Sequence, residues 1–142
     1  MLETKALIRL AEGYSKKAYK CTEGFWTIGV GHKIKPSDNI DLNKEYEDEF
    51  LERLFDEDYR TAANGAYDLL EDFDLIKPAA KAIITNMVFQ MGVAGVSKFK
   101  KMLAALKENN YVAAADAMLD SKWNKQTPKR AAELADWMRS LA

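Results

Sequence analysis

The sequence predicts an α+β fold, mainly helical, on two observations. Apolar residues recur at helical spacing near the start of the chain and over most of its second half. Between these stretches, residues 18–34 change texture: aromatic and β-branched residues alternate with Gly24, Gly29 and Gly31, the pattern of short strands and tight turns. With 142 residues and 48% hydrophobic content, the chain is long enough for one unit with a sizeable core.

The elements follow in order. Leu7, Leu10, Ala11 and Tyr14 share one helical face, so residues 3–11 read as a helix, with Gly13 suited to its C-terminus. The strand-like region comes next. Pro36-Ser37-Asp38-Asn39 reads as a loop. From Lys44 a long helix is expected, with Tyr46, Phe50, Leu51, Leu54, Phe55 and Ala62 on one face. Glu45, Glu47, Asp48 and Glu49 would complement the positive end of its dipole. Asn64-Gly65 would either bend this helix or be tolerated within it. Pro78 suits a first helical position and Gly92 a helix end. Further helices fit residues 96–107 and 111–119. Thr127-Pro128 reads as N-cap and first position of a last helix through Trp137.

Charge is segregated. Residues 1–75 hold 10 Lys+Arg against 17 Asp+Glu, a balance of −7, and residues 76–142 hold 11 against 5, a balance of +6. The overall charge of −1 excludes a uniformly basic nucleic-acid binder. The basic half could attract an anionic polymer, or the two halves could simply attract each other. No run approaches the ~20 consecutive apolar residues of a membrane span, and the first residues do not read as a signal peptide. Cys21 is the only cysteine, so an internal disulfide is excluded and a reducing compartment fits. No CxxC pair or His/Cys cluster suggests a zinc site.

The richest stretch is Glu12-Gly13, then Cys21-Thr22-Glu23-Gly24-Phe25-Trp26-Thr27-Ile28-Gly29-Val30-Gly31-His32. Eight residues separate Glu12 from Cys21, and five separate Cys21 from Thr27. Two further blocks are Asn86-Met87-Val88-Phe89-Gln90-Met91-Gly92 and Trp123-Asn124-Lys125-Gln126-Thr127-Pro128-Lys129-Arg130. In order and spacing, the three blocks resemble the phage lysozymes of the T-even type, glycoside hydrolase family 24. Cys21 stands where that family usually has Asp. The resemblance covers almost the whole chain, apart from a shorter connection around residues 35–50 and a shorter C-terminus.

The resemblance implies a muramidase that cleaves the β-1,4 bond between N-acetylmuramic acid and N-acetylglucosamine in bacterial peptidoglycan. It implies no cofactor and no metal. It also implies two lobes: a small hairpin lobe at about 13–43, a linking helix at about 44–64, and a helical lobe of 65–142 together with the N-terminal helix 1–12. Glycoside cleavage needs a proton for the leaving oxygen and a group that attacks or stabilises the developing oxocarbenium carbon. By the resemblance, Glu12 is the proton donor and Thr27 holds the hydrolytic water. By itself each has an ordinary reading, a helix-end carboxylate and a good strand residue.

Cys21 has three readings: a small buried hydrophobe, a thiolate that orients or deprotonates water, and a thiolate that attacks the sugar. A free thiol titrates near ~8.5, and an ionised Glu12 nearby would push it higher. Lys20 should point away on a strand. His32, the only histidine, pairs by family register with Asp58 as a structural ion pair. Arg130 matches the arginine facing the catalytic Glu. Phe89 and Gln90 match cleft positions, Lys33 falls on the cleft strand, and Met102 and Ala117 stand where the family has small polar sugar-contacting residues.

The expected biology is that of an endolysin, a bacteriolytic enzyme of bacteriophage host-cell lysis. It would be a monomer with no nucleic-acid partner and no membrane insertion. It would accumulate in the host bacterial cytoplasm and reach the periplasmic cell wall once a separate holin has permeabilised the membrane. The rival readings are a bacteriocin or secreted effector with the same chemistry, and a catalytically silent peptidoglycan-binding module with Cys21 marking a decayed site.

Overall fold

A computed structural model describes residues 4–73 and 75–142. The chain divides into two compact units, one ending at Thr61 and one running from Ala62 to Ala142. Among the described residues the architecture is seven helices and one three-stranded sheet, the mainly helical α+β arrangement that the periodicity predicts.

Helix α1 spans Thr4–Glu12; residues 1–3 of the predicted N-terminal helix lie outside the described residues. Strands β1 (Ser15–Lys20), β2 (Trp26–Gly29) and β3 (His32–Lys33) form an antiparallel sheet in the order β1-β2-β3. Pro36–Asp38 forms one turn of 3-10 helix where the sequence reads as a loop. Helix α2 spans Asp48–Leu69 and runs from the first unit into the second.

The buried apolar residues of the first unit are Ile8 of α1, Ile28 and Val30 of the hairpin, and Leu51 and Phe55 of α2. Polar contacts hold α1 on α2: Lys5 Nζ donates to Asp56 at 2.6 Å, and Arg9 donates to both carboxylate oxygens of Glu52 at 2.5 and 3.1 Å. Arg9 also stacks on the Phe55 ring, 4.8 Å from its centroid. Helix α1 and the sheet lie in the same compact unit. Helix α2 starts later and ends later than the predicted 44–64. Its expected first turn is taken by strand-like pairing, because Glu45 bridges to Lys17 and the Tyr46 N–H donates to Lys16. Gly65 is tolerated within α2, where a β-carbon would come within 2.4 Å of a Val93 methyl.

The second unit holds α3 (Pro78–Ser97), α4 (Lys100–Lys107), α5 (Tyr111–Leu119), α6 (Lys122–Gln126) and α7 (Pro128–Arg139). Its apolar core is continuous from Ala62 to Met138. Helix α3 is long and apolar enough to cross a membrane, yet Ala80, Ile83, Ile84 and Met87 on it are fully buried in this core. Gly92 breaks the helical path of α3 at φ +79°, which is why the predicted end falls there although the helix resumes. Pro128 is the first residue of α7, but the Thr127 side chain does not cap it. That hydroxyl instead donates to the Trp123 carbonyl at 3.2 Å.

Candidate active site

The sheet gathers most of the chemistry on one face. Tyr19 faces Thr27 across β1 and β2, and Thr27 faces Lys33 across β2 and β3. Alternation puts Cys21 and Phe25 on this same face and Lys20, Trp26, Ile28 and His32 on the other. Two cation–aromatic contacts agree with that division. Lys33 Nζ lies 4.5 Å from the Phe25 ring centroid, while Lys20 Nζ lies 5.5 Å from that of Trp26. Lys20 therefore turns away from Cys21.

Glu12 ends α1, and its carboxylate reaches the tight turn between β2 and β3. A β-carbon on Gly31 would stand 2.8 Å from Glu12 Oε1, and Gly31 has φ +65°. The turn and the close approach both call for glycine there. Cys21 sits at the mouth of a turn closed by two backbone bonds, Cys21 N–H to Phe25 O at 2.9 Å and Gly24 N–H to Cys21 O at 2.9 Å.

Burial raises the Cys21 thiol, and the Glu23 charge adds to that. Hydrogen bonds from the backbone N–H groups of Phe25 and Glu23 and from the Thr27 hydroxyl outweigh both, so the thiol titrates below its ordinary range. The sequence-based expectation of a raised thiol is thereby corrected. It weighed the charge of Glu12 and missed the amides that the turn aims at the sulfur. The Thr27 hydroxyl also lies 3.0 Å from the Phe25 carbonyl, to which it donates. It has one proton for two acceptors.

His32 is 5% exposed, and each of its ring nitrogens meets a carboxylate. Nδ1 lies 2.6 Å from Asp58 Oδ2, and Nε2 lies 2.8 Å from Asp38 Oδ2. Burial lowers the imidazole's affinity for a proton, but the two aspartates more than compensate and raise it. The sequence reading places Asp38 in a loop and gives it no part in the histidine pair. The signal was available: it follows Lys35-Pro36 by capping spacing, and its Oδ2 also accepts the Lys35 N–H at 2.7 Å.

In the second unit, the Gln90 amide ties helices together, accepting from Trp123 Nε1 at 2.9 Å and donating to the Thr127 hydroxyl at 3.3 Å. Arg130, in the first turn of α7, donates from Nε and a terminal nitrogen to Asn86 Oδ1 at 3.2 and 2.8 Å. Asn86, 2% exposed, is a residue that sequence reasoning passed over. Phe89 is partly buried against the core. Met102 and Ala117 line a groove of about 480 Å³. Met102 is fully buried in its floor, and Lys98, Lys100, Lys101 and Lys122 also line the groove. Among the described residues no group of three or more His, Cys, Asp or Glu could hold a metal ion.

The first unit thus holds the Glu12 carboxylate against the β2–β3 turn, and the Cys21 thiol and the Thr27 hydroxyl at and on the sheet. The phage lysozyme family model matches residues 9–138. "Probable T4-type lysozyme 2" of Dictyostelium discoideum is 34% identical over 148 residues, covering 89% of this chain and 87% of that protein. The "Pre-baseplate central spike protein Gp5" of Enterobacteria phage T4 is 30% identical over 90% of this chain but only 26% of its own length. "Peptidoglycan hydrolase gp36" of Pseudomonas phage phiKMV is 30% identical over 84% of this chain and 13% of its own. The chain belongs to the phage lysozyme family, and its enzyme class is lysozyme.

Proposed function

We propose that the protein hydrolyses the β-1,4 bond between N-acetylmuramic acid and N-acetylglucosamine in bacterial peptidoglycan. Glu12 gives its proton to the leaving glycosidic oxygen. The Cys21 thiolate takes a proton from the water that attacks the anomeric carbon, and Thr27 holds that water. The observation that supports this reading is geometric: Thr27 sits opposite Tyr19 on the sheet, with Cys21 at the end of β1 and the Glu12 carboxylate against the Gly31 turn, and the downward shift of the Cys21 thiol favours the anion this chemistry needs. While the thiol is neutral, the Thr27 hydroxyl donates to the Phe25 carbonyl; ionisation of Cys21 draws it to the sulfur. Attack by water inverts the anomeric configuration, whereas direct attack by sulfur, followed by hydrolysis, retains it.

The lysines around the Met102 groove suit the carboxylates of peptidoglycan's peptides. We place the enzyme as a monomeric endolysin, made in the host cytoplasm and released to the wall by a separate holin. Two of its relatives are phage proteins, which supports that reading.

The test is digestion of purified sacculi by the wild type and by Glu12→Gln, with products read by mass and by the anomer first formed. New reducing muramic acid ends of inverted configuration are expected. Gln keeps the shape of Glu but delivers no proton, and a positioned general acid contributes ~10²–10⁴-fold. A loss under about tenfold would move the acid role to another carboxylate.

A further inference from the structure

Tyr19 stands on β1 directly opposite Thr27 on the site face, yet the mechanism above gives it nothing to do. Residues directly opposed across antiparallel strands project to one face with β-carbons ~4.5–5.5 Å apart. Tyr19, Thr27 and Lys33 therefore form a row across the sheet. Cys21 lies two residues beyond Tyr19 on the same face. Gly31 lies two residues before Lys33, and the Glu12 carboxylate rests against it. Tyr19 is half-buried.

Three causes push its phenol up: burial first, then the charges of Glu12 and Cys21. Tyr19 therefore stays a neutral O–H donor over the pH range in which carboxylates and thiols titrate. Among the described residues its hydroxyl takes no hydrogen-bond partner, so water or a bound molecule must satisfy it.

We propose that Tyr19 is a further catalytic-site residue, its phenolic O–H donating to a substrate oxygen beside the scissile bond so that the anomeric carbon is held between Glu12 and Cys21. This assignment rests on the muramidase reading. A donor that places the reacting carbon acts mainly in the transition state, because a small misplacement of the reacting atoms slows chemistry more than it weakens binding of a long polymer.

The experiment compares wild type, Tyr19→Phe and Glu12→Gln on sacculi, with thermal unfolding of each. Phe keeps the ring and its packing and removes only the hydroxyl. Tyr19→Phe is expected to lose at least about tenfold in kcat, with KM within about twofold and an unchanged melting temperature. A kcat within about twofold of wild type would overturn the proposal, as would a loss explained by a fallen melting temperature. An inactive Glu12→Gln beside a fully active Tyr19→Phe removes Tyr19 alone. A fully active Glu12→Gln removes the acid assignment itself.

Discussion

In the first unit the fully buried large apolar side chains are Ile8, Ile28, Leu51 and Phe55, and Thr27 and His32 are buried in the same unit. In the second, buried apolar residues run from Ala62 through α3, α4, α5 and α7 to Met138, and the buried polar groups are Thr85 and Asn86. The first unit therefore depends more on hydrogen bonds and ion pairs made by particular side chains: Arg9 on Glu52, and His32 between Asp58 and Asp38. The second depends on apolar area, at roughly 25 cal/mol per Å² removed from water. The contrast teaches where chemistry and stability are separable. Glu12, Cys21 and Thr27, the proposed acid, thiol and hydroxyl, are all in the unit with the small core, so on that proposal most substitutions in the large core should change stability and leave turnover alone.

The largest expected effect tests the chemical side of that contrast. Cys21→Ser should lose ~10²–10⁴-fold in kcat without a change in melting temperature, because a hydroxyl supplies no anion near neutrality. Cys21→Asp should stay active, since a carboxylate is ionised from ~4 upward. Its activity should also extend to lower pH than the wild type's. On this reading the wild type should lose activity as pH falls through the lowered thiol value, where the sulfur takes up its proton. Full activity of Cys21→Ser across the pH range would make Cys21 a bystander and leave Glu12 with a Thr27-held water.

The next effect tests the other side. Ile83 is fully buried in α3, and Ile83→Ala should cost about 2–5 kcal/mol of stability through lost transfer energy and a residual cavity. Turnover measured well below the melting transition should stay within about twofold of wild type. If kcat instead fell as far as stability did, the two units would not be separable in function.

How much of this was legible in the sequence follows the same division. The helical lobe was readable because periodicity and Pro and Gly signals mark it: Pro78, Gly92 and Pro128 each stand where the structure starts or breaks a helix. Helix α6 was not, since five residues give no periodic window; Ser121 caps it, accepting from the Asn124 N–H at 3.1 Å. The spacing of Glu12, Cys21 and Thr27 picked out the candidate site, but it could not show what the turn does to the sulfur. The amides of Glu23 and Phe25 belong to the backbone, and every sequence has them. Tyr19 escaped for a related reason. Its partners lie across the sheet, and the β1–β2 register shifts between Ser15 and Tyr19, so alternation counted from one end would lose the face.

The smallest effect concerns His32, and it can sharpen the contrast by showing how much of the first unit's stability is electrostatic. With carboxylates at 2.6 and 2.8 Å on its two nitrogens, the ring satisfies both only as imidazolium, since the neutral form donates from one nitrogen. Its folded pKa is raised, so its contribution is complete below the unfolded value of ~6.5 and is lost as pH rises through the folded value. Asp38 is shifted the other way: burial raises it, but the Lys35 N–H and His32 lower it further. Its contribution is present above ~3.9 and is lost as pH falls through the folded value. Both are therefore in force between about pH 4 and 6.5. Chemical unfolding at pH 5.5 and 8.5 should show the wild type losing on the order of 1 kcal/mol over that step, the scale of one hydrogen bond. In Asp38→Asn the loss should be smaller, and activity relative to wild type should be unchanged. An NMR titration of this single histidine supplies the independent reading: a value above ~6.5 in the folded protein that moves down in Asp38→Asn. A wild-type value at or below ~6.5 would mean that burial outweighs the two carboxylates, and the charged bridge would not contribute at neutral pH.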